Sequence, residues 1–176
     1  NNTTGCISAS AVETIRLVIH GEDPEPYIYD LCRASIFDIC LRAAQQAKEN
    51  NDEYTLYNTA VILYEFSSYN NRTRLELAND ITVQILSIIL DAPNAGSLGI
   101  AIMFSLFTDS KTRPIFSLPS LCTQMMNILK NNPDADTTYN AISAFWSLSK
   151  LASSRDYLSV ECSLDAFVLD LSKTEN

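Results

Sequence analysis

Trp146-Ser-Leu-Ser-Lys-Leu151 has two earlier counterparts in the chain, Phe104-Ser-Leu-Phe-Thr-Asp109 and Tyr64-Glu-Phe-Ser-Ser-Tyr69. Their leading aromatics are 40 and 42 residues apart. Each segment is followed by a polar link containing arginine, then a short helical stretch, then a longer one ending in Ile88-Ile-Leu90, Asn127-Ile-Leu129 or Leu169-Asp-Leu171. A period near forty with two or three helices per unit is the pattern of a stacked helical array, because one such unit cannot bury its apolar face alone.

Working outward, apolar residues recur at three- and four-residue intervals almost everywhere, as in Ala60, Leu63, Tyr64 and Phe66. That spacing puts them on one side of a 3.6-residue helix. Polar, Gly- or Pro-containing links fall at Gly21 to Pro26, Glu49 to Asp52, Tyr69 to Thr73, Asp91 to Gly96, Asp109 to Pro114, Asn131 to Asp136 and Ser153 to Asp156. The links are short, so successive helices must pack as neighbours. The reading gives about eleven helices, over 9–20, 26–32, 34–48, 53–69, 72–78, 79–91, 95–108, 111–116, 118–130, 135–152 and 154–172. Ser110 ahead of Thr112, Pro119 in a first turn, and the Asn132, Pro133, Asp134 run are start signals.

Trp146-Ser-Leu-Ser-Lys-Leu-Ala152 resembles the third-helix signature of the armadillo repeat, Trp-Ala-Leu-Ser-Asn-Leu-Ala, with Arg155 where that family often has a basic residue opening the next repeat. Arg113 stands at the same offset from Phe104; from Tyr64 the offset lands on Thr73, between Arg72 and Arg74. The resemblance covers most of the chain from about residue 53, and the last unit carries it best. It implies an all-α, right-handed solenoid of armadillo- or HEAT-like repeats: one domain over 1–176, with a partial repeat over 9–52 and full ones over 53–92, 93–132 and 133–173. The family's glycine between first and second helices is missing from every unit.

In that family the third helices line a concave face. The resemblance therefore implies a partner-binding groove containing Tyr64, Phe104 and Trp146 at the tryptophan position, with Ser68, Thr108 and Lys150 four residues later and Tyr57 and Tyr139 extending the row. Aromatics at helical spacing serve a core equally well, so each has a packing reading beside the binding one. The family's peptide-clamping asparagine is replaced by Ser68, Thr108 and Lys150, which argues against a nuclear-localisation-signal receptor.

Composition bounds the rest. The chain has 176 residues, 47 % of them hydrophobic and 19 % charged, so it can bury a continuous core and is not a disordered chain. Its formal charge of −9 opposes contact with nucleic acid or anionic membranes and favours a basic partner segment. The longest strongly apolar run, Gly99 to Phe107, is too short to cross a bilayer. Cys6, Cys32, Cys40, Cys122 and Cys162 form no disulfide framework and read as buried thiols, which points to the cytoplasm or nucleus; the sequons at Asn1, Asn2 and Asn71 are the contrary sign. Starting at Asn1 without a leader, the chain reads as a segment of a longer protein.

Nothing supplies chemistry. His20 is the only histidine and sits at a helix end, Asp23 and Glu25 form an acidic turn, and no nucleotide-binding or nucleophile motif is present. No catalytic residue, metal site or cofactor is expected. Arg72, Arg74, Lys111, Arg113, Lys150 and Arg155 recur at the junctions, as a basic stripe or as helix-end charges in solvent. The expected function is a non-enzymatic scaffold gripping a peptide or helix of another protein. The alternative is an assembly segment that self-associates through open repeat ends.

Overall fold

The computed structural model describes residues 3–20, 25–131 and 134–160. All regular structure among them is helical: α1 (Thr3–Ile19), α2 (Glu25–Arg33), α3 (Ile36–Asn50), α4 (Glu53–Tyr69), α5 (Asn71–Glu76), α6 (Asp80–Asp91), α7 (Gly96–Thr108), α8 (Arg113–Phe116), α9 (Pro119–Lys130), α10 (Ala135–Leu148) and α11 (Ala152–Val160). Most of the turn expected at Gly21, the Asn132–Pro133 pair, the apolar ending at Leu169 to Leu171, Cys162 and the first two sequon asparagines lie outside the described residues, as do the side chains of Cys6 and Glu25.

Short polar side chains set the helix starts. Asp52 accepts from the Thr55 N–H at 3.1 Å and its hydroxyl at 2.6 Å, and Asp134 treats Thr137 the same way at 2.8 Å for each. Asn79 accepts from Thr82 N–H at 2.9 Å, and Asn70 and Thr73 form a reciprocal capping box at α5. The donated bonds at Asp134 hold its carboxyl below the usual carboxylate range, the backbone bond of Thr137 first and its hydroxyl second. Proline opens α9, where a missing N–H costs nothing. At the end of α3, Asn51 takes a left-handed conformation, φ 54°, one that asparagine tolerates.

Most boundaries shift by one or two residues from the sequence reading, and three shifts are instructive. α1 begins at Thr3, earlier than 9. α8 begins at Arg113, because Asp109 captures the Lys111 N–H at 2.8 Å in a turn. The span expected over 135–152 stops at Leu148, where Ser149 returns its hydroxyl to Trp146 O at 2.8 Å and Leu151 N–H bonds Leu148 O at 2.9 Å, so α11 starts at Ala152.

Packing recurs every third element. α1 packs on α4, α4 on α7 and α7 on α10; beside this row α3 packs on α6 and α6 on α9; the short α2 reaches α5. In the first row α1 and α4 run parallel: the Tyr54 hydroxyl donates to Glu13 at 2.8 Å near the start of α4, and His20 Nδ1 lies 3.3 Å from Glu65 further along it. Polar ties between α2 and the start of α5 and between α3 and α6 span a similar stretch of sequence: Asn70 Nδ2 to Tyr29 Oη at 3.1 Å and Lys48 Nζ to Asp91 at 3.4 Å.

The core runs through both rows, with Phe66, Phe107, Phe116 and Phe145 fully covered and Phe37 edge-on to Phe66 at 5.6 Å. Each such side chain contributes about 1.5–3 kcal/mol by leaving water. α7 contains no charged residue and is packed by α4, α6 and α10. Its closest approach is at Gly99, where an added Cβ would meet Ile89 Cγ2 and Leu90 Cδ2 at 3.0 Å. Gly99→Val therefore overpacks this seam and should lower unfolding free energy by about 1–3 kcal/mol in urea titrations. The exposed neighbour Ser97→Ala should stay within about 0.5 kcal/mol of the parent.

Candidate partner-binding face

The row α1, α4, α7, α10 buries three sides of its inner helices and leaves one side open. On α4 that side carries Tyr57, 47 % exposed, and Tyr64, 36 % exposed, seven residues apart and so two turns along one stripe. On α10 the same spacing brings Tyr139, 67 % exposed, in line with Trp146, 65 % exposed. Phe104 of α7 is different: it is half-buried and packed against the core. Seven residues before it stands Ser97, exposed, with Ala101 between them half-buried. The open side thus carries exposed aromatics on α4 and α10, with Ser97, Ala101 and the half-buried Phe104 along α7 between them.

Ser68 and Thr108 are exposed but turned inward in their bonding. The Ser68 hydroxyl donates to Tyr64 O at 2.7 Å and that of Thr108 to Ser105 O at 2.6 Å. Lys150 places its ammonium 3.7 Å over the Trp146 ring, covering one face of the indole. Seven of the eight sequence-predicted positions lie on three helices of one row and five are aromatic; Lys150, expected on the helix over 135–152, stands in the turn after α10, and Phe104 is partly committed to packing.

The junction arginines have a different role from the stripe considered in the sequence. Arg113, 8 % exposed, donates from Nε to Phe107 O at 2.7 Å and from Nη2 to Thr108 O at 3.4 Å. Arg74 donates to Ser67 O at 2.9 Å and Arg155 to Ser149 O at 2.8 Å. Each places its guanidinium on carbonyls at or just past the C-terminal end of the preceding row helix, where the helix dipole is negative. A buried hydroxyl precedes each arginine: Thr73, Thr112 and Ser154. The Thr112 hydroxyl donates to Leu106 O and the Thr73 hydroxyl to Asn70 O at 2.8 Å. The pairs Thr73-Arg74, Thr112-Arg113 and Ser154-Arg155 are a repeat signal that the aromatic-based alignment missed. Aligning on hydroxyl-then-arginine moves the one-residue slip of the first unit onto its aromatic, since Arg74 follows Tyr64 by ten residues and Arg113 and Arg155 follow Phe104 and Trp146 by nine. Of the other cations, Arg72 stacks over Tyr29 at 4.3 Å from the ring centroid.

An open cleft of about 450 Å³ between α6, α7 and α9 has Asp91 on its wall, tied to Gln124 Nε2 at 2.6 Å and to Lys48. Burial pushes the Cys40 thiol up to about 12. Cys32 is half-buried, short of the full burial expected; burial first and the Glu76 carboxylate second push it up to about 11. Both thiols are poor nucleophiles at neutral pH. Among the described residues no three of His, Cys, Asp and Glu gather as a metal site, and no helix is long and apolar enough to cross a membrane. No protein-family model, curated protein or solved structure matches the chain.

The capping role sets an order of effects. Arg113→Ala should cost about 2–3 kcal/mol, since it strands buried carbonyls, and exposed Arg155→Ala about 1 kcal/mol or less. Urea midpoints for the two variants measure this; equal losses would contradict the assignment.

Proposed function

We propose that this chain is a right-handed helical solenoid of armadillo-like repeats whose open side grips a segment of another protein, without catalysis. The three-element packing period and the ties about forty residues apart support the solenoid; the α1–α4–α7–α10 row takes the part of the third helices. The observation that carries the binding reading is the exposure of Tyr57, Tyr139 and Trp146 on one row. Large aromatics left in water on a shared face mark an interaction surface more often than an isolated exposed side chain does. Their exposure favours the groove over the packing reading for all but Phe104.

Free thiols at Cys32, Cys40 and Cys122 favour the cytoplasm or nucleus for such a domain. No cofactor is needed, and the acidic balance disfavours direct nucleic-acid or membrane contact.

Two measurements test the proposal. Small-angle scattering should give a radius of gyration clearly above the about 16 Å of a compact globule of this length; a value at that figure removes the solenoid. Exchange of both Tyr139 and Trp146 for Ser should preserve the circular dichroism spectrum. It should also abolish retention of partners identified by affinity purification and mass spectrometry. Undiminished retention removes this face from the binding site.

A further inference from the structure

The open face has a spacing, a relief and a charge asymmetry, and together they specify what it holds. Helices packed side by side lie about 8–10 Å apart. The ridges on α4 and α10 are therefore separated by two such steps, with the small Ser97 and Ala101 of α7, ahead of Phe104, between them. A guest crossing the row meets one helix per step. Two turns of an α-helix advance about 10.8 Å and return a side chain to the same face, so residues seven apart keep pace with the row. A pleated strand advances the same distance in about three residues, which turns alternate anchors to opposite sides.

Charge distinguishes the two long edges of this face. α4, α7 and α10 start on the same side of the row: Glu53 Oε2 lies 3.4 Å from Asn94 N just ahead of α7, and α10 follows α9, whose Ile128 is held against Gly96. Along that starting edge lie Glu13, bonded to Tyr54, then Glu53, Asp134 and Asp136. The opposite edge carries Glu65 with His20, uncharged Thr108 and Lys150 on Trp146. The starting edge is predominantly acidic, its nearby cations being Lys48, tied to Asp91, and Lys130 at the end of α9, and the other edge is mixed, which sets how a charged guest must roll about its own axis.

We propose that the face takes an amphipathic α-helix of a partner protein, laid across α4, α7 and α10, with bulky apolar side chains seven residues apart and lysines or arginines along the flank facing Glu13, Glu53 and Asp136. The guest's central anchor sits over Ser97 and Ala101, and its outer anchors cover Tyr57–Tyr64 and Tyr139–Trp146. Lys150 keeps the far indole face occupied, so the guest covers Trp146 with apolar surface and not with a cation. This inference rests on the partner-binding reading above and narrows it to one class of segment.

Trp146 is the only tryptophan and lies on the face, so it reports occupancy by its own emission and by protection from acrylamide. Three synthetic peptides of about three heptads serve as probes, with leucines at heptad spacing. One has lysines on a single flank, one has glutamates in their place, and one has the lysines but a proline in each heptad to prevent the helix. The lysine peptide should protect Trp146, gain helicity on binding and lose about tenfold in affinity when its flank is made acidic. Combining Glu13→Gln with Asp136→Asn should shrink that preference while leaving the fold intact. Equal affinity for the two flanks overturns the charge assignment, and equal affinity for the proline peptide overturns the helix. If none of the three protects Trp146, the inference falls. The wider binding reading is then decided by the Tyr139 and Trp146 exchange alone.

Discussion

The face-to-face packing of α7 between α4 and α10 is the constraint from which the rest of the structure follows. A thirteen-residue helix without a single charge cannot stand in water on any side it does not need to expose. α7 is enclosed by its row neighbours left and right and by α6 behind, with Gly99 letting α6 come close enough to seal the seam. Once three sides are committed, the fourth is the only surface left, and there small residues stand ahead of the half-buried Phe104. The aromatics on α4 and α10 stand as walls because their helices share that orientation. The candidate site is therefore a by-product of how the inner helices are buried.

Much of this was legible in the sequence, for reasons that can be given residue by residue. The helix spans came through because Asp52, Asn70, Asn79 and Asp134 stand where N-caps must stand and the apolar period between them is unambiguous. Tyr64, Phe104 and Trp146 marked one position in successive units because each begins the last turn or two of a row helix. Their fates could not be read, since a period gives the face of a helix and not what lies opposite it. Phe104 is turned toward the core by its flanking helices, while Trp146 stands in solvent under Lys150. The hydroxyl-arginine pairs escaped notice because their meaning depends on carbonyls six or seven residues back, which only the folded turn brings within reach.

Electrostatics divides the molecule by function more clearly than composition does. A surplus of carboxylates gives the overall sign, but the cations are not spread at random among them. Three arginines are held at the ends of row helices and one lysine lies on an indole, which removes most of the positive charge near the face from any role in recruitment. What faces solvent along the starting edge is predominantly acidic, Lys48 being tied to Asp91. The same residues that quiet the helix ends thus leave the field over the open side mostly negative.

The arginine clamps have an evolutionary reading as well. Each junction finds its hydrogen-bond partners in its own few residues, so a copied or deleted unit would carry its closure with it and impose no new polar demand on the neighbours. If the proposed solenoid holds, selection could lengthen or shorten it by whole modules while the joints stayed chemically complete, leaving the exposed ridges free to diverge.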